Sequence, residues 1–396
     1  MKKQKVLIVH NYYQIPGGED TVVDNEKNLL IENNHDVFLY TRHNDEIKKR
    51  SMLGKLILPL ETVFSFKTYR EVKKIIKEKN INIVHVHNTL PLVSPSVYYA
   101  ARHSGIPVVQ TVHNFRLLCP GATFTRNNKI CEDCVKKNLY HSIKNKCYRN
   151  SITQSFISAF NLYFHRLIGT YKKVDGYIAL TNYNREKLST LIKSNNIFVK
   201  PNFMKETLVS KKYLKEDYFI YVGRIDRLKG IEVLLQSWEK LDNMQLIIVG
   251  TGPYLEGARK FIANKKLNNI NLVGYKDKSE VINLIRKAKA IIVPSQCYEG
   301  FPMTIVESFS VGTAVIAGAI GNLECIVENE ENGLLFKYDD PIKLALTVKR
   351  LNEDSELLRK LSNGAKQYYR RDYNDEINYK ILVNIYNKVS GDIDGN

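Results

Sequence analysis

Short strand-like runs recur along the first half of the chain, at 6–9, 37–40, 83–86, 108–112 and 177–180. Between them apolar residues fall at helical spacing, as with Val22, Val23, Leu29 and Leu30, which share one face of a helix. Runs too apolar to alternate belong to strands buried on both faces. Alternation of such strands with helices therefore predicts a parallel sheet of α/β class. The series restarts in the second half, with strands at 218–222, 246–249, 271–273 and 291–293 and helices at 230–241 and 279–288. A last helical pattern carries Ile377, Ile381, Leu382 and Ile385 and follows the polar stretch 370–375. Over 376–390 it is set to pack away from its sequence neighbours.

The 396 residues exceed one ordinary core and suit two domains. Lys200-Pro201-Asn202-Phe203 places the hinge near 201, because proline disfavours helix at the preceding residue and lacks a donor. The expected domains are 1–200 and 201–375. Charge separates them further: of the net +18, residues 1–200 hold 31 Lys and Arg against 15 Asp and Glu, and the remainder 28 against 26. A basic half suits nucleic acid, an anionic membrane surface or an acidic small molecule. No apolar run approaches the ~20 residues of a bilayer span. The lysines at the start lead only into a strand, so a cytoplasmic protein with reduced thiols is expected.

In open parallel sheets ligands bind beyond the carboxyl ends of the strands. After the first strand comes Pro16-Gly17-Gly18-Glu19, where glycines let backbone amides approach an anion at a helix start; a plain tight turn explains the pair equally well. After the strand at 218–222, Arg224 and Lys229 are placed to converge on a phosphate, one as a fork and the other as a point charge. The densest signal is residues 294–307: Glu299 in a loop, then Pro302 opening a helix, with Glu307 about two turns along it. A carboxylate at that place can accept hydrogen bonds from two ribose hydroxyls.

Gly223-Arg224 with Lys229-Gly230, Val249-Gly250-Thr251-Gly252-Pro253, Glu299-Gly300-Phe301-Pro302 with Glu307, and Asn332-Gly333-Leu334-Leu335 stand in an order and spacing that resemble family 4 retaining glycosyltransferases. The likeness extends to Gly17-Gly18 and Thr111-Val112-His113 and so covers most of the chain. It implies the GT-B fold, two Rossmann-like domains facing across a cleft. It also implies transfer of a sugar from a nucleoside-diphosphate sugar with retention of anomeric configuration. Within that family pattern Arg224 and Lys229 meet the donor phosphates, Glu307 the ribose, and Glu299 and His113 the donor sugar. Gly17, Gly18, Gly300, Phe301, Met303 and Thr304 line the same donor site. The chain departs from the pattern at Pro302, where many relatives have glycine, and at Asn114, where an acidic residue is frequent. Both departures bear on donor identity. Fixed cations and helix-start amides can stabilise the departing diphosphate, so no metal is required for catalysis. The one Asp-x-Asp, Asp392-Ile393-Asp394, lies in the tail.

Cys119, Cys131, Cys134 and Cys147 have the spacing C-x11-C-x2-C-x12-C. Two readings stay open: a structural zinc with four thiolates, and four reduced cysteines packed in a long loop. Cys297 and Cys325 read as small hydrophobes. The basic, apolar-interleaved segment 48–58 suits the cytoplasmic face of an anionic membrane, where the acceptor is a lipid-linked saccharide of a capsule or other cell-surface polysaccharide. Phe156, Phe160, Tyr163, Phe164 and Leu167 form a second apolar stripe, which as an ordinary helix faces the core. The rival readings are a nucleic-acid-binding protein, a GT-B sugar-nucleotide epimerase and a non-catalytic donor-binding subunit. No nucleic-acid motif supports the first, and no nucleic-acid partner is expected.

Overall fold

The computed structural model describes residues 3–14, 17–206 and 215–391. Lys2, Pro16 and the tail Asp392-Ile393-Asp394 lie outside the described residues. The chain divides into two units, one of residues 1–122, 132–201 and 375–396, the other of 123–131 and 202–374. The first unit thus ends at Pro201 and resumes at Asp375. The segment 123–131, expected in the first domain, belongs to the second unit.

The first unit is built on a parallel six-stranded sheet of β1 (Lys5–Tyr12), β2 (Asp36–His43), β3 (Ile83–Val86), β4 (Val108–Val112), β5 (Gly176–Ala179) and β6 (Ile197–Val199). Its spatial order is β2-β1-β3-β4-β5-β6. The helices of this unit include α1 (Gly18–Glu32), α2 (Met52–Val63) and α3 (Ile152–Leu167). Residues of β1, β3 and β4 on the side occupied by α1 and by the returning C-terminal helix are apolar except for His10, His85 and Thr111. That side packs Val6, Ile8, Ile83 and Val109 against Val23, Leu30, Leu382, Ile385 and Tyr386. Its apolar stripe explains why the last helix leaves the second unit's sequence to lie here.

The second unit has its own parallel sheet: β7 (Tyr218–Val222), β8 (Gln245–Val249), β9 (Ile270–Gly274), β10 (Ala290–Val293), β11 (Ala314–Gly318) and β12 (Gly333–Phe336). Their order, β9-β8-β7-β10-β11-β12, is that of a dinucleotide-binding fold. The helix predicted at 230–241 is α4 (Ile231–Trp238), entered through a 3-10 turn; α5 is Met303–Ser310, and α6, the returning helix, is Asp375–Ser390. Phe219 and the fully buried Trp238 anchor this core, and the Trp238 indole donates to the Met244 carbonyl.

In each sheet the connections reverse direction once, between β1 and β3 in the first unit and between β7 and β10 in the second. Loops diverge at that point and leave a crevice at the carboxyl ends of the strands. The chemistry-bearing residues lie on those loops.

Candidate active site

In the second unit the loop after β7 carries Arg224 and Lys229, and the loop after β10 carries Glu299. Gly230 brings the two together. Its φ of 77° lies in the left-handed region, and a Cβ there would fall 1.7 Å from the Pro294 carbonyl oxygen. Only glycine permits that approach. Lys229 Nζ reaches both Glu299 oxygens at 2.8 and 2.7 Å. Burial works against the Lys229 ammonium, but the adjoining Glu299 carboxylate more than offsets it and holds the lysine above its ordinary range. Ser295 donates its hydroxyl to the same carboxylate, and the Asn322 amide donates to the Glu299 and Gly300 carbonyls. Glu299 is thereby buried and fixed, with its loop clamped from behind.

Arg224 is exposed, and its Nε lies 3.5 Å from Asp226. Its carbonyl accepts from the Tyr221 hydroxyl at 2.7 Å, which fixes the backbone and leaves the guanidinium outward. Glu307 is the fifth residue of α5, little more than one turn from its start and nearer to it than the two turns expected. It is half-buried, and burial raises its pKa against the opposing pull of Lys278. Met303 and Thr304 form the first turn of α5, where backbone amides lack helical acceptors. The Phe301 side chain is buried and packs edge-on to Tyr373 at 5.9 Å, so that residue can offer a ligand only its backbone.

In the first unit Gly17 caps α1, and its amide donates to Asp20 Oδ2 at 2.9 Å. That amide is already bound, which leaves Gly18 as the glycine whose N–H has no helical acceptor. Asp20 also holds His10 Nε2 at 2.8 Å. Beside it Glu19 accepts from the Tyr13 hydroxyl at 3.0 Å. Burial pushes the Glu19 carboxyl up to about 7, although Tyr13, Arg116 and Asn114 pull it the other way. Asn114 accepts from the Arg116 amide at 3.0 Å, so the residue after His113 shapes the loop that holds Arg116.

His113, at the end of β4, is half-buried, and its Nε2 lies 2.9 Å from His87 Nδ1 with the rings stacked at 5.2 Å. Behind His87 are Glu26, His85 and Lys200, all fully buried. Lys200 Nζ pairs with Glu26 Oε1 at 2.5 Å and donates to Asn378 at 3.0 Å. Sequence reasoning found His113 but missed His87, Glu26, Lys200 and Glu19. The signal was there: His85 and His87 flank Val86 in an otherwise apolar strand region, and polar residues in such a run need partners.

Of the four loop cysteines, Cys119 and Cys134 are buried and Cys131 and Cys147 half-buried. A Cβ on Gly121 would stand 3.8 Å from Cys119 Sγ and 3.6 Å from Cys147 Cβ, so these two flank one glycine. Cys134 lies close enough to the Arg166 guanidinium to act on its charge, and Arg166 donates to the Leu117 carbonyl at 2.6 Å. Cys297 is buried, whereas Cys325 is exposed and is no core hydrophobe.

The apolar stripe of α3 corrects its core-facing expectation. Phe156, Phe160, Tyr163 and Leu167 are exposed, and the buried face is Ser155, Ala159, Asn161, Leu162 and His165. Two polar members of that face are satisfied by another helix end, while Ser155 pairs with the Tyr148 backbone. Asn161 donates to the Thr62 carbonyl at 2.9 Å, and His165 Nε2 lies 3.0 Å from that of Val63, both at the C-terminus of α2. No residue of α2 is buried, and Met52, Leu53, Leu56 and Leu60 are each more than 65% exposed.

Two family models match: "Glycosyltransferase Family 4" over residues 16–206 and "Glycosyl transferases group 1" over 202–368. An uncharacterized glycosyltransferase of Methanocaldococcus jannaschii, MJ1178, is 26% identical over 377 residues, 93% of each chain. The phosphatidyl-myo-inositol mannosyltransferase of Mycolicibacterium smegmatis is 22% identical over 400 residues, 96% of this chain and 92% of that one. Among solved structures, HepE of Anabaena in complex with UDP matches with a TM-score of 0.69 at 16% identity, over 97% of this chain and 100% of the other. These likenesses favour neither the nucleic-acid nor the epimerase reading. With two Rossmann-like units and the two family models spanning 16–368, the chain is a glycosyltransferase of the GT-B fold.

Proposed function

We propose that the protein transfers a sugar from a nucleoside-diphosphate sugar, with retention, to a lipid-linked saccharide at an anionic membrane surface. The observation that carries the donor assignment is the Lys229–Glu299 pair at the strand crossover of the second unit, with exposed Arg224 on the same loop as Lys229. Breaking the bond from sugar to phosphate leaves negative charge on the diphosphate. Arg224, Lys229 and the free amides at the start of α5 meet that charge without a divalent ion. Glu307 accepts the ribose hydroxyls, and Glu299 and His113 address the sugar. In a retaining transfer the acceptor hydroxyl attacks on the face the diphosphate leaves, and its proton passes to a phosphate oxygen. A UDP complex of a structurally similar protein supports a nucleotide donor. Titration of UDP-, GDP- and ADP-sugars by calorimetry tests the reading; absence of binding by all three, with the fold intact, removes it.

The membrane part rests on α2 and α3. Exposed Leu53, Leu56 and Leu60 sit beside Lys48, Lys49, Arg50 and Lys55, and exposed Phe156, Phe160, Tyr163 and Leu167 sit near Lys172 and Lys173 in the sequence. Apolar side chains enter the acyl boundary while each nearby basic residue adds about 1 kcal/mol at an anionic surface. No helix among the described residues is long and apolar enough to cross a membrane, so a peripheral position at the inner face fits. Sedimentation with anionic vesicles, weakened by salt, is expected; equal sedimentation with neutral vesicles overturns it.

Of the two readings of the four loop cysteines, packed reduced thiols are favoured: Cys131 falls in the second unit and the other three in the first, and the group of ligand atoms lying within 4.8 Å of one another among the described residues is Glu26, His85 and His87. Elemental analysis of protein purified without chelator is then expected to find no stoichiometric zinc, whereas about one zinc per chain restores the four-thiolate reading.

A further inference from the structure

The buried chain behind His113 has two polar atoms without a hydrogen-bond partner, Glu26 Oε2 and His87 Nε2. They face each other at 3.4 Å, and both side chains are fully buried. Glu26 Oε1 is held by the Lys200 ammonium, so the carboxylate is ionised and oriented. His85, 3.6 Å from the same oxygen, is otherwise committed, with Nδ1 on the Tyr386 hydroxyl and Nε2 on that of Thr111, both at 2.7 Å. His87 is therefore the group that answers Glu26.

We infer that Glu26 and His87 are positioning residues that fix the tautomer of His113 and make it a hydrogen-bond acceptor toward the donor sugar. This rests on the reading that His113 addresses that sugar. A nitrogen lone pair aimed at an ionised carboxylate repels it, so His87 Nε2 carries the proton. Burial keeps His87 neutral, with like-charge repulsion from neighbouring histidines and Lys200 acting in the same sense. A neutral imidazole has one N–H, so His87 Nδ1 is a lone pair. At 2.9 Å from it, His113 Nε2 must be the donor. His113 is likewise neutral through burial, which leaves its Nδ1 unprotonated. No protein group among the described residues binds that Nδ1. It can accept from a sugar hydroxyl and cannot donate to one. Since which nitrogen holds the proton is set by what the other one meets, the selectivity of His113 is decided two side chains away, at Glu26.

The same three ligand atoms, Glu26, His85 and His87, lie within 4.8 Å of one another and resemble a metal site. Lys200 argues against that occupant: a dication would sit beside a buried ammonium that already shares the carboxylate.

The test is the nitrogen spectrum of histidine-labelled full-length protein without ligand, with His113 assigned by loss of its signals in His113→Gln. A pyrrole-type Nε2 and a pyridine-type Nδ1 are expected for His113. Glu26→Gln should invert the pattern: its amide oxygen turns to Lys200 and its NH2 donates to His87 Nε2, which forces the proton to His87 Nδ1 and then to His113 Nδ1. Turnover should fall about tenfold or more with little change in the donor KM. A pyridine-type Nε2 in the native protein, or stoichiometric metal lost on Glu26→Gln, overturns the inference, and the native spectrum decides even if the variant fails to fold. If the tautomer is as expected but His113→Gln transfers sugar at full rate, the reading of His113 as a sugar contact fails, and with it the role inferred for Glu26 and His87, while the glycosyltransferase activity stands.

Discussion

Each unit holds a lysine–glutamate pair, and the two differ in burial rather than in chemistry. Lys200 and Glu26 in the first unit are both 0% exposed, whereas the Lys229 and Glu299 side chains in the second are 38% and 10% exposed. The first pair is enclosed by Asn378, His85 and His87 and has no route to a ligand. The second lies on crossover loops with the ammonium still partly in solvent, available to exchange a carboxylate for a phosphate. Identical residues thus serve as an internal strut in one sheet and stand half-open on the crossover loops of the other, where the proposed function places a ligand.

The largest effect should come from breaking the enclosed pair. Glu26→Ala or Lys200→Ala leaves an uncompensated charge in the core and should cost about 3–5 kcal/mol in urea unfolding. Lys229→Ala should cost less, because the lysine is half-exposed and its partner keeps the Ser295 hydroxyl. Comparable losses at both pairs would erase the distinction drawn from burial.

Ligand binding should show the reverse ranking. Arg224→Ala and Glu307→Ala should each weaken nucleoside-diphosphate binding by about 1.5–3 kcal/mol, the worth of a charged hydrogen bond. Unfolding should be unchanged, and calorimetry reads both variants. Glu299→Ala should reduce turnover more than binding, since its proposed partner is the transferring sugar.

The pH response should also separate the units. Burial lowers His85 and His165 to about 4, so both are neutral when folded and take up protons once unfolded. Their contribution is full above the ordinary histidine pKa and is lost as pH falls from about 6.5 toward 4. Glu19, raised to about 7, acts in the opposite sense and stabilises as pH falls, but it stands alone against these histidines and the similarly lowered His87 and His113. In the second unit burial lowers Lys215 to about 7, so its loss is complete before that window opens, and Glu307 gains from protonation. Hydrogen exchange at pH 5 should therefore open β1, β3 and β4 before β7, β8 and β10. Simultaneous opening would mean that the units do not titrate separately.

Fold and site were legible to different depths for physical reasons. Strand β10 is buried on both faces and wholly apolar, and its run betrays it. The motif glycines betray the loops because a backbone approach such as Gly230 on Pro294 admits no side chain. The histidine chain was hidden because its members are remote in sequence: Glu26 on α1, His87 after β3, Lys200 after β6 and Asn378 on α6. Only the sheet order brings them together. The outward face of α3 was misjudged for another reason. Spacing identifies an apolar stripe but not what it faces, and here Asn161 and His165 turn the other side inward to cap α2.

The smallest effect on stability is expected where that misjudgement points. Leu53→Ser and Leu56→Ser in α2 remove apolar side chains that are 67% and 73% exposed, so folding loses almost no burial. Each should shift unfolding by no more than about 0.5 kcal/mol, as surface substitutions do. The helix should persist, since Ser51 still caps it through the Gly54 amide at 3.2 Å and the Thr62 and Val63 carbonyls remain bound by α3. Binding to anionic vesicles should nevertheless fall, because the deleted side chains are those that would enter the acyl boundary, while attraction from Lys48, Lys49 and Lys55 is untouched. The residual binding should accordingly depend more steeply on salt than that of the native protein. A loss of stability in these variants would show that α2 is covered by protein in solution, and unchanged vesicle binding would move the membrane contact elsewhere on the first unit.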